Sequence, residues 1–205
     1  MTGLFITIEG GEGVGKSTQI ARLAARLRAH AQDVHVTREP GGTPGAEAIR
    51  RLMLQTEHDF TPLADTLLVY AARAEHVRDV RARLHQGQMV LCDRFFDSTT
   101  AYQGFGQNVD PGLIARLRTE IDLEPDLTLI LDAPASITEA RRLARRNDDR
   151  YERFDAAFAA RVAAGFRAIA AAEPDRCALI DARGSPEAIE AEILRVLRQR
   201  LGVPC

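Results

Sequence analysis

The chain has 205 residues, and 45% of them are hydrophobic. A chain of this length buries one substantial core but hardly two, so we expect one compact domain over residues 1–205. Its 27 basic and 29 acidic side chains leave a net charge of −2. This balance argues against a nucleic-acid-binding protein and favours small-molecule partners.

The chain shows no signal for a membrane or an oxidising compartment. No segment approaches the roughly 20 apolar residues of a membrane span, and residues 1–7 lack the basic start of a secretion signal. Two of the three cysteines, Cys92 and Cys177, lie in apolar runs. The three, including Cys205, show no CxxC spacing of the kind that binds metals. We therefore expect a cytoplasmic protein with no membrane partner and with reduced cysteines.

Short apolar runs alternate with longer amphipathic ones along the chain. Five runs have the length of a buried strand: residues 4–8, 34–37, 89–92, 127–131 and 177–180. Three longer runs, residues 17–30, 63–84 and 186–201, carry apolar residues at helical spacing. This alternation predicts a three-layer α/β domain with a five-stranded parallel sheet, whose ligands bind beyond the carboxyl ends of the strands.

The long run 63–84 is the most apolar of the predicted helices. Its helical spacing is carried by five residues: Leu67, Tyr70, Ala71, Ala74 and Val77. This helix is also a plausible contact face for a second copy of the chain.

The segment after the first predicted strand has the phosphate-loop pattern G-x-x-x-x-G-K-[ST] and leads directly into a helix. Its nine residues are Gly10, Gly11, Glu12, Gly13, Val14, Gly15, Lys16, Ser17 and Thr18. In such a loop, successive backbone N–H groups and the helix N-terminus bind phosphate oxygens. We expect ATP here, with Lys16 at the β and γ phosphates and the Ser17 hydroxyl on Mg²⁺.

Lys16 is the single lysine of the chain, because the other 26 basic residues are arginines. A lysine ammonium is a compact point charge, whereas an arginine fork would not fit among the backbone amides of a phosphate loop. This usage supports a functional role for Lys16.

Arginines at strand ends indicate a second phosphate site. Arg38 ends the second predicted strand and Arg94 follows the third, so both point towards the ligand crevice. Arg73 lies in the long predicted helix. Transfer between two phosphates needs cations that bring two anions together, and it needs no general base.

Two aspartates end predicted strands. Asp93 is placed to hold Mg²⁺ directly or through water, with a helix cap as its alternative. For Asp132, which precedes Ala133-Pro134, we favour the cap.

Residues 141–153 alternate arginines with acidic residues. We interpret them as a lid that closes over the transferring phosphoryl group and excludes water. Arg145, Arg146 and Arg150 are its candidate charge stabilisers. An exposed helix with Arg–Asp pairs is the alternative.

The chain resembles the thymidylate kinase family over nearly its whole length. Seven blocks carry the resemblance: 10–18 (GGEGVGKST), 37–43 (TREPGGT), 70–73 (YAAR), 93–94 (DR), 98–104 (STTAYQG), 125–132 (PDLTLILD) and 149–152 (DRYE). The resemblance implies a P-loop kinase fold, Mg·ATP and dTMP as substrates, ADP and dTDP as products, and a homodimer. It also implies that residues 37–75 form the monophosphate-binding region.

Residue roles on the dTMP side follow from the resemblance by position. Arg38, Arg73 and Arg94 would contact the phosphate or the base, with Arg73 at the thymine edge. Glu12 would face the 3′-hydroxyl and Tyr102 would pack under the deoxyribose. The same pocket would be lined by three further residues: Thr99, Gln103 and Tyr151.

On the ATP side, relatives with an acidic residue at the Glu12 position place the catalytic arginine in the lid. Arg150 matches best, followed by Arg145 and Arg146. Adenine would lie near Arg142 and the loop at residues 181–185.

The chain departs from the family at Val69, where many relatives carry an aromatic residue that stacks on thymine. The loss is worth about 1 kcal/mol of stacking. Tyr70 is adjacent but lies about 100° away around the helix. This departure leaves a kinase for another monophosphate, such as dUMP or CMP, as the alternative within the same enzyme class.

Two other classes of P-loop protein fit less well. A GTP-dependent switch needs an Asn-Lys-x-Asp motif, which a chain with Lys16 as its one lysine does not contain. A partition ATPase would lack a second phosphate pocket and would hydrolyse ATP without a nucleotide acceptor.

Overall fold

A computed structural model of the chain describes residues 3–55, 58–143 and 155–204, without the side chains of Arg142 and Leu143. The described residues form one five-stranded sheet: Phe5–Glu9 (β1), Val34–Arg38 (β2), Met89–Asp93 (β3), Leu127–Asp132 (β4) and Cys177–Asp181 (β5). The strand order is β2-β3-β1-β4-β5 and every pairing is parallel. The predicted sheet is therefore confirmed, each strand lying within one residue of its predicted bounds.

Helices connect the strands. Those described are Lys16–Ala29 (α1), Pro44–Leu54 (α2), Pro62–His85 (α3), Phe96–Thr99 (α4), Pro111–Ile121 (α5), Ala135–Leu143 (α6), Ala156–Ala172 (α7) and Pro186–Leu201 (α8). A π-helical segment, Thr100–Gly106, directly continues α4. The three helices predicted from apolar spacing correspond to α1, α3 and α8.

A shared local signal begins four of these helices. A Ser, Thr or Asp side chain caps the first turn and a proline follows at once, where a missing N–H costs nothing. The four caps are Thr43, Thr61, Asp110 and Ser185.

Apolar side chains cover both faces of the sheet. On one face, Leu23 and Leu27 of α1 and Ile193 of α8 pack against the strands in a single buried cluster. On the other, α3 and α5 form a second cluster, and α7 packs with the π-helical segment in a third. Cys92 and Cys177 are buried packing residues without a disulfide, as expected. The predicted three-layer arrangement is confirmed.

The apolar residues of α3 divide between two faces. Tyr70 and Val77 are buried, whereas Leu67, Ala71 and Ala74 are exposed to solvent. The spacing predicted the helix correctly, because both sets recur at three or four residues. It did not separate the core face from the outer one.

One predicted cap is wrong. Asp132 does not cap α6, which begins three residues later; its two carboxylate oxygens accept bonds of 2.9 and 3.0 Å from the Arg167 guanidinium. Asp93 also caps no helix, because Phe95 occupies the position before α4.

Candidate active site

The phosphate loop lies between β1 and α1 at the carboxyl edge of the sheet. Its glycines adopt a backbone that other residues rarely take, with φ of +131° at Gly10 and +75° at Gly13. A side chain at Gly13 would also lie 2.3 Å from the Thr138 carbonyl oxygen. The loop therefore packs against α6, and its chain can turn so that N–H groups at the start of α1 point inwards.

Lys16 lies at the centre of this loop with 7% of its surface exposed. Its ammonium donates to the carbonyl oxygens of Gly10 at 3.0 Å and Gly11 at 2.9 Å. Burial and the charge of Arg94 lower the pKa of Lys16, while the charge of Glu12 opposes them. Ser17 and Thr18 follow on the exposed side of the first turn of α1.

Glu12, Arg94 and Tyr102 form a hydrogen-bonded group beside the loop. Arg94 Nη2 donates to Glu12 Oε1 and, at 3.1 Å, to the Tyr102 hydroxyl, which in turn donates to Glu12 at 3.0 Å. Burial alone would raise the pKa of Glu12, but the charges of Arg94 and Lys16 and the bond from Tyr102 lower it to about 2. Glu12 is therefore an anion at neutral pH.

A buried carboxyl group, that of Glu9, supports Arg94 through Ser98. Glu9 accepts bonds of 2.6 Å from the Phe95 N–H and from the Ser98 hydroxyl, and Ser98 Oγ accepts from Arg94 Nη1 at 3.1 Å. Burial, followed by the charge of Asp97, raises the pKa of Glu9 to about 8. These bonds stabilise the turn in which Arg94 takes its left-handed φ of +70°.

An open cleft of about 590 Å³ begins at this group and extends towards α3. Seven of its lining residues were predicted from the sequence: Glu12, Val69, Arg73, Arg94, Thr99, Tyr102 and Gln103. The π-helical segment brings Tyr102 and Gln103 to the cleft wall, in keeping with the frequent use of such segments at functional sites.

Arg73 is the most deeply buried cation of the cleft, with 1% of its surface exposed. Its Nε donates to Glu39 Oε2 at 2.7 Å and its Nη2 to Thr99 Oγ1 at 3.1 Å. The third guanidinium nitrogen, Nη1, is buried and has no hydrogen-bond partner among the described residues. Burial alone would lower the pKa of Arg73, but the charge of Glu39, the neighbouring Tyr70 and the hydrogen bond to Glu39 together raise it.

Val69 and Tyr70 occupy different sides of α3. Val69 lines the cleft, whereas the Tyr70 hydroxyl donates to the Ile114 carbonyl oxygen at 3.2 Å and its ring lies in the core. The predicted divergence of these neighbours is confirmed.

The structure does not place Arg38 on the cleft wall. The Arg38 side chain is 55% exposed and pairs with Glu47 at 3.0 Å. Arg50 of α2 lines the cleft instead, with its Nη1 2.8 Å from the Pro40 carbonyl oxygen. The sequence reasoning also missed five other lining residues: Glu39, Pro40, Leu54, Phe95 and Ser98.

Asp93 and Ser17 offer oxygen atoms of the kind that Mg²⁺ prefers. Asp93 Oδ1 is buried at the end of β3 and has no hydrogen-bond partner in the described part of the chain. A buried carboxylate oxygen without a partner suits a cation, so these residues fit the metal. No cluster of three His, Cys, Asp or Glu side chains with metal-site geometry occurs in residues 3–55, 58–143 and 155–204.

Comparison with known proteins identifies the family. The family model described as thymidylate kinase matches residues 8–193. The chain belongs to the thymidylate kinase family. The thymidylate kinase of Caulobacter vibrioides is 51% identical over 98% of this chain and 99% of its own length. That of Gluconobacter oxydans is 49% identical over 98% and 97%.

A solved structure shares both the family and the fold. The crystal structure of thymidylate kinase from Ehrlichia chaffeensis matches 96% of this chain and 100% of its own chain. The sequence identity is 34% and the TM-score is 0.80. The resemblance to thymidylate kinases and the predicted fold are thus confirmed.

Several residues assigned by analogy with thymidylate kinases lie outside the described ones. These are Arg145, Arg146, Arg150 and Tyr151, together with the side chain of Arg142. The neighbouring Arg141 is described: its Nη1 donates to the carbonyl oxygens of Val14 at 3.4 Å and Ala182 at 3.1 Å. It therefore joins the phosphate loop to the loop after β5.

None of the helices in the described ranges is long and apolar enough to cross a lipid bilayer.

Proposed function

We propose that the chain binds dTMP in the cleft and ATP at the phosphate loop, and transfers the γ-phosphoryl group to give dTDP and ADP. One observation carries the assignment: the cleft opens directly beside the phosphate loop, and Glu12 belongs to both. Two nucleotides bound in this way meet end to end, as in-line phosphoryl transfer requires.

The phosphate loop holds the donor. Backbone N–H groups of residues 10–18 bind the ATP phosphates, and Lys16 neutralises charge on the β and γ groups. Ser17 and Asp93 hold Mg²⁺, which when bound offsets the negative charge of the phosphates. Because Lys16 is buried and already fixed by two carbonyl oxygens, it needs little reorganisation on binding.

Arg94 is the cation best placed for the acceptor phosphate. It is 16% exposed and fixed by Glu12, Tyr102 and Ser98, so its charge is oriented before the substrate arrives. Arg38, which is exposed, would have to leave Glu47 in order to take part. The lid arginines Arg145, Arg146 and Arg150 remain our candidates for stabilising the transferring group.

The far end of the cleft suits the base. Val69 offers an apolar surface for one face of thymine, and Arg73, Thr99 and Gln103 supply polar atoms at its edge. Nearer the loop, Tyr102 packs under the deoxyribose and Glu12 accepts from its 3′-hydroxyl. Tyr151 and Arg142 keep their assignments to the dTMP and adenine sites as predictions.

A coupled assay of ADP release tests the substrate assignment. We expect rapid ADP formation with dTMP, slower formation with dUMP, and little with dCMP, dGMP or UMP. ADP release without any acceptor should be negligible, which separates a kinase from a partition ATPase. Fast turnover of another base with dTMP inactive would contradict the proposal.

We also propose that the protein acts as a cytoplasmic homodimer. The exposed face of α3 presents Leu63, Leu67, Ala71 and Ala74 in one line, with Leu63 52% and Leu67 48% exposed. An apolar stripe of this kind suits an isologous contact between two copies.

A further inference from the structure

A chain of buried hydrogen bonds runs from β2 to Arg73 and reaches the cleft wall at Glu39 and Arg73. Thr37 Oγ1 lies 2.7 Å from His76 Nε2, His76 Nδ1 lies 2.9 Å from Glu39 Oε1, and Arg73 Nε donates to Glu39 Oε2 at 2.7 Å. None of the four side chains is more than 8% exposed. We call these residues the Thr37–Arg73 chain.

The chemistry of these side chains decides which atoms donate and which accept in the Thr37–Arg73 chain. A carboxylate only accepts hydrogen bonds, so the Nδ1 of His76 that faces Glu39 carries a proton. The Thr37 hydroxyl meets the opposite ring nitrogen and thereby holds the imidazole plane. Glu39 is thus held on one side by His76 and holds Arg73 on the other.

Arg73 is left with one donor group to spare. Its Nε is bonded to Glu39, its Nη2 to Thr99, and its guanidinium lies 4.7 Å from the Tyr70 ring centroid and 5.2 Å from that of Phe95. Nη1 is buried without a partner in the described residues, yet Arg73 lines the cleft. A buried donor without a partner is destabilising, so its retention points to a ligand atom.

The loop before α2 is built around this chain. Gly42 has φ of +87°, and a side chain there would lie 2.5 Å from Thr37 Oγ1 and 2.6 Å from the His76 ring. The loop backbone therefore closes over the Thr37–His76 bond and excludes water from it. The close approach of this loop to the Thr37–Arg73 chain therefore explains why position 42 is a glycine.

A purely structural role is a weaker account of the same contacts. Buried ion pairs contribute little net stability compared with apolar packing, because two charges lose their hydration. Here three polar residues fix the orientation of Arg73, which lines the cleft and keeps one buried donor group without a partner among the described residues. Such support fits the precision that a recognition group requires.

We propose that Thr37, His76 and Glu39 are positioning residues that aim Arg73 Nη1 at the acceptor base and set its selection. A guanidinium only donates, so the aimed group favours a base with a carbonyl at that edge, as in thymine and uracil, over the amino group of cytosine. This inference rests on the proposed contact between Arg73 and the base.

Removal of one hydroxyl tests the inference with little change in shape. In Thr37→Val, we expect the KM for dTMP to rise about tenfold, with kcat within about twofold and the KM for ATP unchanged. The ratio of kcat/KM for dTMP to that for dCMP should fall by a similar factor. The KM and kcat separate in this way because base binding is common to the ground and transition states.

Thr128→Val is the matched control. Thr128 is also a buried strand threonine, and its hydroxyl accepts at 2.6 Å from Arg176 in a buried pair with Asp97 that does not line the cleft. Both variants should lower the melting temperature, but Thr128→Val should leave the KM for dTMP unchanged. If Thr37→Val behaves in the same way as this control, the inference is wrong.

Two further variants complete the experiment. His76→Leu removes the donor to Glu39, whereas His76→Asn retains an N–H group near it, so Asn should recover part of the lost selectivity. Equal loss in both would contradict the positioning role. Arg73→Ala tests the underlying contact between Arg73 and the base. An unchanged KM for dTMP in Arg73→Ala would overturn both the proposed role of Arg73 and this inference. A raised KM in Arg73→Ala together with an unchanged KM in Thr37→Val would overturn the inference alone.

Discussion

Charge compensation organises the residues next to the transferred group. Arg94 contacts Glu12 and the Tyr102 hydroxyl, and Lys16 is close enough to Glu12 for its charge to lower the Glu12 pKa. A glutamate inside a phosphate-binding loop appears unfavourable by itself, since its ligand is anionic. It is stable here because two cations, Arg94 and Lys16, offset its charge, and it holds Arg94 between the proposed donor and acceptor sites.

Lys16 provides the first prediction. Lys16→Ala should lower kcat by about 1000-fold or more, because a buried cation at the transferring phosphates is lost. The melting temperature should stay within about 5 °C, since the Gly10 carbonyl oxygen that Lys16 binds keeps a second donor, Arg94 Nη1, at 3.0 Å. Steady-state kinetics and calorimetry measure both quantities.

Arg26→Ala is the control for Lys16→Ala, because Arg26 lies on the exposed side of the same helix. It should keep normal kcat. Near-normal activity in Lys16→Ala would contradict the assignment of the phosphate loop.

Glu9 provides a prediction about pH. Its pKa of about 8 in the folded chain lies above the ordinary 4.5, so between these values the folded chain retains a proton that the unfolded chain has released. The free energy of unfolding should therefore decline from pH 5 to pH 8, by up to about 1.4 kcal/mol per pH unit. Glu9→Gln removes the titrating proton and should flatten this decline in urea unfolding.

Glu12→Gln is the matched comparison for Glu9→Gln. The pKa of Glu12 is lowered to about 2, so Glu12 is ionised in both states between pH 5 and pH 8 and adds no slope there. Its contribution to stability is lost only as the pH falls below about 4.5 towards 2. Parallel profiles for wild type and Glu9→Gln would show that burial does not raise the Glu9 pKa.

At the scale of elements, close packing between α7 and the π-helical segment fixes the cleft wall. Gly165 of α7 faces Phe105, and a side chain there would lie 2.8 Å from Phe105 Cγ and 3.0 Å from its Cβ. The second contact is next to the backbone, so rotation of the ring does not relieve it. Phe105 lies in the same segment as Tyr102 and Gln103, which makes this contact relevant to the site.

Gly165→Ala should therefore destabilise the protein, even though alanine is a better helix former than glycine. Helix propensity favours alanine by about 1 kcal/mol, while overpacking costs about 1–3 kcal/mol. We expect a net loss of about 1 kcal/mol in urea unfolding and a higher KM for dTMP. Ala164→Gly, on the exposed side of α7, should lose about 1 kcal/mol with the KM unchanged. A variant Gly165→Ala more stable than wild type would exclude this packing constraint.

The elements were predictable where one physical signal dominated. Apolar runs of strand length flanked by glycine or polar residues indicated all five strands, and a single apolar stripe indicated α1 and α8. Helix α3 was predicted as a helix, but its outer stripe of Leu67, Ala71 and Ala74 resembled a core face. Spacing alone does not distinguish a face that packs internally from one exposed for another contact.

The candidate site was predictable mainly where residues follow strands. Lys16 begins the helix after β1, Asp93 ends β3 and Arg94 follows it. Their positions at the carboxyl edge were predictable from the parallel topology. Arg50 and Leu54 have no such signal, because their contribution depends on how α2 packs on α3. The buried partners of Arg73 were equally hidden: Glu39 was visible only as one letter of the TREPGGT block.

At the scale of the whole molecule, the outer face of α3 is the main exposed apolar surface of a described helix. Leu67→Lys should shift the proposed dimer towards a monomer, because a charge would be buried twice across a two-fold contact. Light scattering at micromolar concentration measures the mass. Leu179→Lys, at a site with nearly equal exposure on the edge strand β5, should remain dimeric. A monomeric wild type would remove the dimer proposal.

The cleft beside the phosphate loop is the central assignment, and a crystal structure of the protein with dTMP and ADP tests it most directly. We predict the thymine against Val69 with its polar edge at Arg73 Nη1, the 3′-hydroxyl at Glu12, and the phosphate between Arg94 and the phosphate loop. A dTMP molecule bound elsewhere, or bound in the cleft with its base turned away from Arg73, would contradict the account.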